Sequence, residues 1–170
     1  MVVSGPPGSG KTTVARALAR GLGFPLFSKD TVKEALLSAM DVPDVETSRR
    51  VGRAAIAALL AVAIDSGFGV IESTWRRSVS MPGLTKLPAP VVEVFCRCDR
   101  DLARSRYEQR SAQRARGHFD QERLADDELW TGEAAEPVGG DWPLLEVDTA
   151  DVVNASDLCS RILTVRGDAP

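Results

Sequence analysis

Gly5-Pro6-Pro7-Gly8-Ser9-Gly10-Lys11-Thr12, followed at once by Thr13, is the stretch that decides the fold. It fits the phosphate-loop pattern in full: a glycine, four residues, a second glycine, then a lysine and a hydroxyl residue. Gly8 and Gly10 permit backbone conformations that turn N–H groups inward around phosphate oxygens. Lys11 offers a point charge to a transferring phosphoryl group, and Thr12 offers an oxygen to Mg²⁺. Residues 1–4 read as a short buried strand, and 11–20 as a helix with Val14, Ala15 and Leu18 on its apolar side. A helix that opens at Lys11 aims the positive end of its dipole at the bound anion. Gly5, Gly8, Ser9, Gly10, Lys11, Thr12 and Thr13 are therefore the expected nucleotide-binding residues.

Working outward, 170 residues are expected to form a single domain over 1–170 with a sizeable core. A hydrophobic content of 44% and a charged content of 26% match ordinary soluble globular chains. No long uncharged apolar span or basic-plus-apolar leader is visible, and the first residues already belong to a strand. Cys96, Cys98 and Cys159 form neither an even framework nor a C-x-x-C pair, so reduced thiols in a cytoplasmic setting are expected. The net charge of −3 is unevenly spread. Lysines 11, 29 and 33 lie in or near the phosphate loop, arginines cluster over 97–116, and the balance turns acidic after Asp120. A small basic site on an acidic body suits a nucleotide-sized ligand, not a long nucleic acid.

The remaining pattern alternates strands with helices. Leu26-Phe27 reads as a strand, Ser28 as the cap of a helix over 30–40, and 41–44 as a turn. Helical spacing of Val51, Ala54, Ala55, Ala58, Leu59, Val62 and Ala63 predicts a helix over 46–65. Strands follow at 68–71, 91–96 and 144–147, helical patterns at 99–116, 121–130 and 152–165, and a loop at 137–140. Such alternation implies a doubly wound α/β fold with a parallel sheet and a ligand at the carboxyl ends of its strands.

Three further stretches put polar residues at those ends. Asp30, just past the second strand with Lys29 beside it, can take a proton from an acceptor hydroxyl or simply cap its helix. Glu72, after four apolar-strand residues, stands where an acidic residue steadies a metal, and Thr74, Trp75 and Arg76 are expected to face the acceptor. Arg106, Arg110 and Arg114 are spaced by four and share one helical face. On a lid over about 99–130, that stripe can neutralise charge developing between donor and acceptor. His118 is expected to shape the end of this lid.

Together, the phosphate loop, Ser28-Lys29-Asp30-Thr31-Val32-Lys33-Glu34, Val70-Ile71-Glu72-Ser73-Thr74, the arginine-rich stretch and Val147-Asp148-Thr149 resemble the small P-loop kinases around chloramphenicol phosphotransferase and zeta toxin. The guanine-reading Asn-Lys-x-Asp of GTPases is absent, as is an Asp-Glu pair ending an apolar strand. The resemblance implies a P-loop NTPase fold with an AAA-type ATP-binding domain: a five-stranded parallel sheet, order 2-3-1-4-5, flanked by helices. It further implies Asp30 as general base, with Arg106, Arg110 and Arg114 as candidates for the lid arginines that contact phosphate. The expected activity is transfer of the γ-phosphate of ATP, with Mg²⁺ held through Thr12 and Glu72, to a hydroxyl of a small molecule such as an antibiotic or nucleoside-like metabolite. No nucleic-acid or membrane partner is expected, and the protein would act as a monomer or homodimer. A nucleotide-gated regulator with slow hydrolysis is the rival of a different class.

Overall fold

The computed structural model describes residues 1–111, 118–120, 124 and 127–167. Five strands form one sheet: β1 (Val2–Ser4), β2 (Leu26–Ser28), β3 (Val70–Glu72), β4 (Glu93–Arg97) and β5 (Leu144–Asp148). Their order is β2-β3-β1-β4-β5 and every pairing is parallel, as the resemblance implied. The chain leaves β1 toward one side of the sheet and later returns to its other side. The crevice at this reversal opens above the carboxyl end of β1, where the phosphate loop lies.

Helices α1 (Lys11–Leu22), α2 (Lys29–Ala39), α3 (Val45–Ser66), α4 (Arg77–Leu84), α5 (Arg100–Ser111) and α6 (Ala155–Arg166) complete the described architecture. Adjacent strand residues point to opposite faces, and Val2 and Val3 divide the core accordingly. Val3 packs with Val14, Leu18, Cys96, Leu158 and Ile162 under α1 and α6. Val2 packs with Leu59, Ile71, Trp75 and Leu84 under α3 and α4. A third cluster joins Ala103, Tyr107, Leu129 and Trp130 above the phosphate loop. The C-terminal half of α3 is less apolar inward than its spacing suggests, since Val62 is exposed while Leu59 and Ala63 are buried.

Three local features depart from the sequence reading. Helix α4 was not expected, because Pro82 and Gly83 sit inside it as breakers. Its buried Ser80 and Leu84 hold it, and a Cβ on Gly83 would fall 2.5 Å from Leu60 Cδ1, so glycine lets α4 lie directly on α3. Ser28 occupies the N-cap position of α2 but makes no capping hydrogen bond; its hydroxyl is used elsewhere. Asp44, read as turn, caps α3 by accepting from the Thr47 N–H at 2.7 Å. Of the helix expected over 99–116, the described part is α5, and the described end of the 121–130 pattern is a 3-10 turn at Asp127–Leu129. No described helix is long and apolar enough to cross a membrane.

Candidate active site

The phosphate loop runs from the end of β1 to the start of α1. Gly10, the N-cap of α1, has φ 77°, and no side chain caps the helix. No side chain therefore competes with an anion for the first-turn amides, although that of Thr13 already donates to the Gly10 carbonyl at 3.0 Å. Gly8 has φ 78°, and a Cβ there would lie 2.0 Å from the Ala103 carbonyl oxygen, so α5 rests directly on the loop. Beneath it, Thr149 Oγ1 contacts the Ser9 carbonyl at 2.7 Å and the Arg97 carbonyl at 2.9 Å, tying the end of β5 to the loop.

Lys11 is buried, and its Nζ donates to the Pro6 carbonyl at 3.1 Å. Burial pushes its ammonium below the usual lysine range; the carboxylates of Glu72 and Asp30 oppose that, and the Arg110 guanidinium adds to it. Glu72, also buried, accepts from Thr12 Oγ1 at 3.2 Å and from Ser28 Oγ at 2.8 Å. The register that pairs Ser28 with Glu72 across β2 and β3 explains why the serine serves this carboxylate and not its own helix. Asp30, in the first turn of α2, lies 3.2 Å from Lys29 Nζ. Cys96 lies behind the loop, its thiol pushed up to about 12, mainly by burial, and is chemically inert there.

Two cavities lie on either side of the phosphate loop at the start of α1. The first, of about 460 Å³, is lined by Lys11, Lys29, Asp30, Glu72, Thr74, Arg76 and Arg110 together with the N-terminal half of α3. The second, of about 490 Å³, lies on the other side of the loop, between Gly10, Thr13 and Ala17, the 149–153 segment and Arg106. The expected residues Thr74 and Arg76 thus reach the first cavity, whereas Trp75 does not. Trp75 is 1% exposed, packs in the core under α3, and donates its indole N–H to the Val3 carbonyl at 3.1 Å. In extended chain, neighbours point to opposite sides, so the two that face the cavity turn the one between them inward.

The arginines also separate. Arg106 donates to the Thr149 carbonyl at 2.9 Å and the Ala150 carbonyl at 2.8 Å, on the second cavity. Arg110 lines the first cavity, with its guanidinium 5.7 Å from the Tyr107 ring and a buried Nε that has no hydrogen-bond partner among the described residues. Arg114 lies outside the described residues. Arg100 and Arg104 instead hold Asp127, at 2.8 and 2.7 Å, and Arg104 lies 5.2 Å from the centre of the Trp130 ring. Hydrogen bonding from Arg100 is the main cause that keeps the Asp127 carboxyl below the usual range. Tyr107 donates its hydroxyl to buried Asp120 and meets Trp130 edge-on, with centroids 5.4 Å apart. His118 is 1% exposed, with Nε2 3.5 Å from Glu34 Oε1 on the wall of the first cavity.

Sequence reasoning missed the far wall of this cavity. Lys33 of α2 and Ser48, Arg49 and Arg53 of α3 line it, with Lys33 Nζ donating to Ser48 Oγ at 2.7 Å. The signal was the spacing of four between Arg49 and Arg53 on the side opposite the apolar stripe. It also missed Glu93, fully buried in β4, which accepts from Ser4 Oγ, the Val138 and Gly139 amides and Trp142 Nε1 at 2.7–3.3 Å. Among the described residues no group of three or more His, Cys, Asp or Glu could hold a metal.

Comparison with known proteins follows this geometry. A protein from Chloroflexus aurantiacus J-10-fl assigned as a kinase is 32% identical, with a TM-score of 0.80 and 96% of each chain covered. A sugar kinase from Janibacter sp. HTCC2649 is 25% identical, with a TM-score of 0.58, over 99% of this chain and 94% of that one. A cytidylate kinase from Pyrobaculum neutrophilum is 49% identical over 49 residues, 29% of this chain and 27% of that protein's length. The AAA domain pattern matches residues 1–129, which carry the phosphate loop, Asp30, Glu72 and α5. The chain therefore belongs to the AAA domain family of P-loop proteins, and its fold is that of the small kinases.

Proposed function

We propose that the protein transfers the γ-phosphoryl group of ATP to a hydroxyl of a small molecule. The observation that carries this reading is the pair of cavities flanking the phosphate loop, with Lys11 and Asp30 on the wall of the first. A nucleotide-gated switch needs a donor cavity alone. An acceptor needs a second cavity that opens on Lys11. The residues fit a polyphosphate: an uncapped helix N-terminus, a buried ammonium, and the buried Nε of Arg110, without a hydrogen-bond partner among the described residues, all call for an anion.

In this reading Gly5, Gly8, Ser9, Gly10 and Thr13 shape the loop around the phosphates, and Lys11 and Arg110 supply charge. Arg106 sits beside the nucleoside in the second cavity; a role for Arg114 rests on the resemblance alone. Thr12 and Glu72 would hold Mg²⁺, which when bound neutralises charge on the β- and γ-phosphate oxygens. The acceptor oxygen forms a bond to the γ-phosphorus, the bond to the β–γ bridging oxygen breaks, and its electron pair leaves with ADP. The hydroxyl proton passes to a carboxylate oxygen of Asp30. Lys29, Thr74 and Arg76 orient the acceptor. The 99–130 segment serves as a lid that excludes water from the loop, which α5 already touches at Gly8. Three free cysteines accord with a cytoplasmic setting.

The test is ADP release with Mg·ATP across a panel of hydroxylated metabolites and antibiotics. Stimulation of tens of fold by one compound, with phosphate recovered on it, is the expected result. Indifference to every compound, with stimulation only by a partner protein, would overturn the reading in favour of a switch.

A further inference from the structure

Resting on the transfer reading above, we propose that Glu133 is a positioning residue. It fastens the acceptor wall at Arg76 and Val79 to a segment that is itself seated on the phosphate loop, so that donor and acceptor binding steady one another. Helix α4 begins directly after Arg76, and its own sequence provides poorly for its first turn. Arg76, the N-cap residue, makes no capping hydrogen bond, and no acidic residue stands in that turn. Pro82 and Gly83 inside the helix weaken it further. The missing cap comes from Glu133, 55 residues away in the chain. Its carboxylate accepts from the Ser78 amide at 3.1 and 3.3 Å and from the Ser78 hydroxyl at 2.6 Å. A carboxylate on a first-turn N–H satisfies an orphan donor and meets the positive end of the helix dipole.

The turn that Glu133 holds is the one that fixes the wall. The Arg76 carbonyl accepts from the Val79 and Ser80 amides at 3.1 and 2.8 Å, so the first turn of α4 sets the Arg76 backbone. Arg76 and Val79 both line the first cavity. Glu133 itself lies in the second of two 3-10 turns, Asp127–Leu129 and Gly132–Ala134. Within them the Trp130 amide donates to the Asp127 carbonyl at 3.0 Å and the Ala134 amide to the Thr131 carbonyl at 3.3 Å. A short, internally bonded span therefore joins Glu133 to Trp130, whose indole N–H is bonded to the Pro7 carbonyl of the phosphate loop. Arg77 anchors the same turn of α4 through the Val138 carbonyl at 2.7 Å, but that loop is fastened to Glu93. Of these two anchors, Glu133 is the one that leads to Pro7. Nucleotide that fills the loop steadies Pro7 and, through Trp130 and Glu133, the turn that carries Arg76. Coupling of this kind is reciprocal, so an acceptor that orders its wall tightens the donor by the same factor.

The experiment compares the wild type with Glu133→Ala and Glu133→Gln by amide hydrogen exchange at residues 78–80, with and without Mg²⁺ and a non-hydrolysable ATP analogue. Glu133 is half-buried and Ser78 exposed, so water can replace the lost contact and both variants should fold. In the wild type the analogue is expected to slow exchange at 78–80 as well as in the phosphate loop. In Glu133→Ala these amides should exchange about fivefold faster or more and no longer respond to the analogue, while the loop still does. Glu133→Gln keeps an acceptor oxygen and should restore part of the protection. With the acceptor found in the panel, Glu133→Ala should raise the acceptor's KM by about fivefold or more, a larger change than its loss in kcat. Its affinity for the analogue alone should stay near wild type. Exchange at 78–80 that ignores the analogue in the wild type, or that is the same in Glu133→Ala as in the wild type, overturns the proposal. Transfer with an unchanged acceptor KM in Glu133→Ala would sink the positioning role and leave the transfer reading intact. Loss of the response in Glu133→Ala, with no transfer to any compound, would do the reverse.

Discussion

The indole N–H of Trp130 donates to the carbonyl of Pro7 at 3.0 Å, joining the arginine-rich segment to the middle of the phosphate loop across 123 residues of chain. Because Trp130 also packs edge-on against Tyr107, which is itself bonded to Asp120, the contact fixes a whole cluster over the loop. Trp130→Phe keeps one aromatic ring but loses the N–H and the second ring, leaving a buried carbonyl without its donor. Stability should fall by about 1–3 kcal/mol, read by denaturant unfolding. A variant as stable as wild type would mean that the segment is held on the loop by α5 alone.

Lys11 should act on stability and activity in opposite directions. Its folded-state pKa is lowered, mainly by burial, so between that value and 10.5 the unfolded chain binds more protons than the folded one. Stability contributed at this site therefore rises with pH through that window, and at neutral pH the buried charge is a net cost. Lys11→Met should melt no lower than wild type at neutral pH, with an advantage that shrinks as pH climbs toward 10.5. Its turnover should fall by about 10²–10³ or more. A lower melting temperature at neutral pH would contradict the electrostatic account.

Glu93 makes the opposite case, a buried carboxylate that the fold depends on. Its four donors come from β1, the 138–139 amides and Trp142, and Arg77 holds the same loop through the Val138 carbonyl at 2.7 Å. Glu93→Gln keeps the shape but turns an N–H₂ toward backbone or indole N–H groups that can only donate. A loss of about 2–3 kcal/mol is expected, roughly 4–12 °C in melting temperature for a chain of this size. An unchanged melting temperature would remove Glu93 as the anchor of that loop.

The phosphate loop was legible because its function is local: glycine conformations, a lysine and a hydroxyl at fixed spacing are all written within nine residues. The strands around Val3 and Ile71 were legible because parallel strands buried on both faces are unbroken apolar runs. Trp75 was misread because the side of an extended segment depends on register, which the composition of 73–77 does not carry. Helix α4 was missed because its stability comes from packing Ser80 and Leu84, against the local preference of Pro82 and Gly83. Arg49 and Arg53 escaped notice since α3 was read by its apolar stripe, and their meaning depends on α2 lying opposite. Glu93 had no local signal at all, its nearest donor in sequence being 45 residues away. Charge pairing was only half visible: Asp127, counted as acidic surface, is the residue that occupies Arg100 and Arg104 and leaves Arg106 and Arg110 to the two cavities.

Transfer to a hydroxyl in the first cavity is the central claim, and Asp30→Asn addresses it most directly. The substitution preserves size and cannot accept a proton at neutral pH. The measurement is the rate at which label from γ-labelled ATP appears on the acceptor found in the panel, alongside the affinity of the variant for ATP and acceptor. Both affinities should stay near wild type while the rate of labelling drops by about 10²–10⁴, or less if the loose transition state asks little of a base. Full labelling by Asp30→Asn would contradict the account and leave Asp30 as a helix-terminal carboxylate without a part in the chemistry.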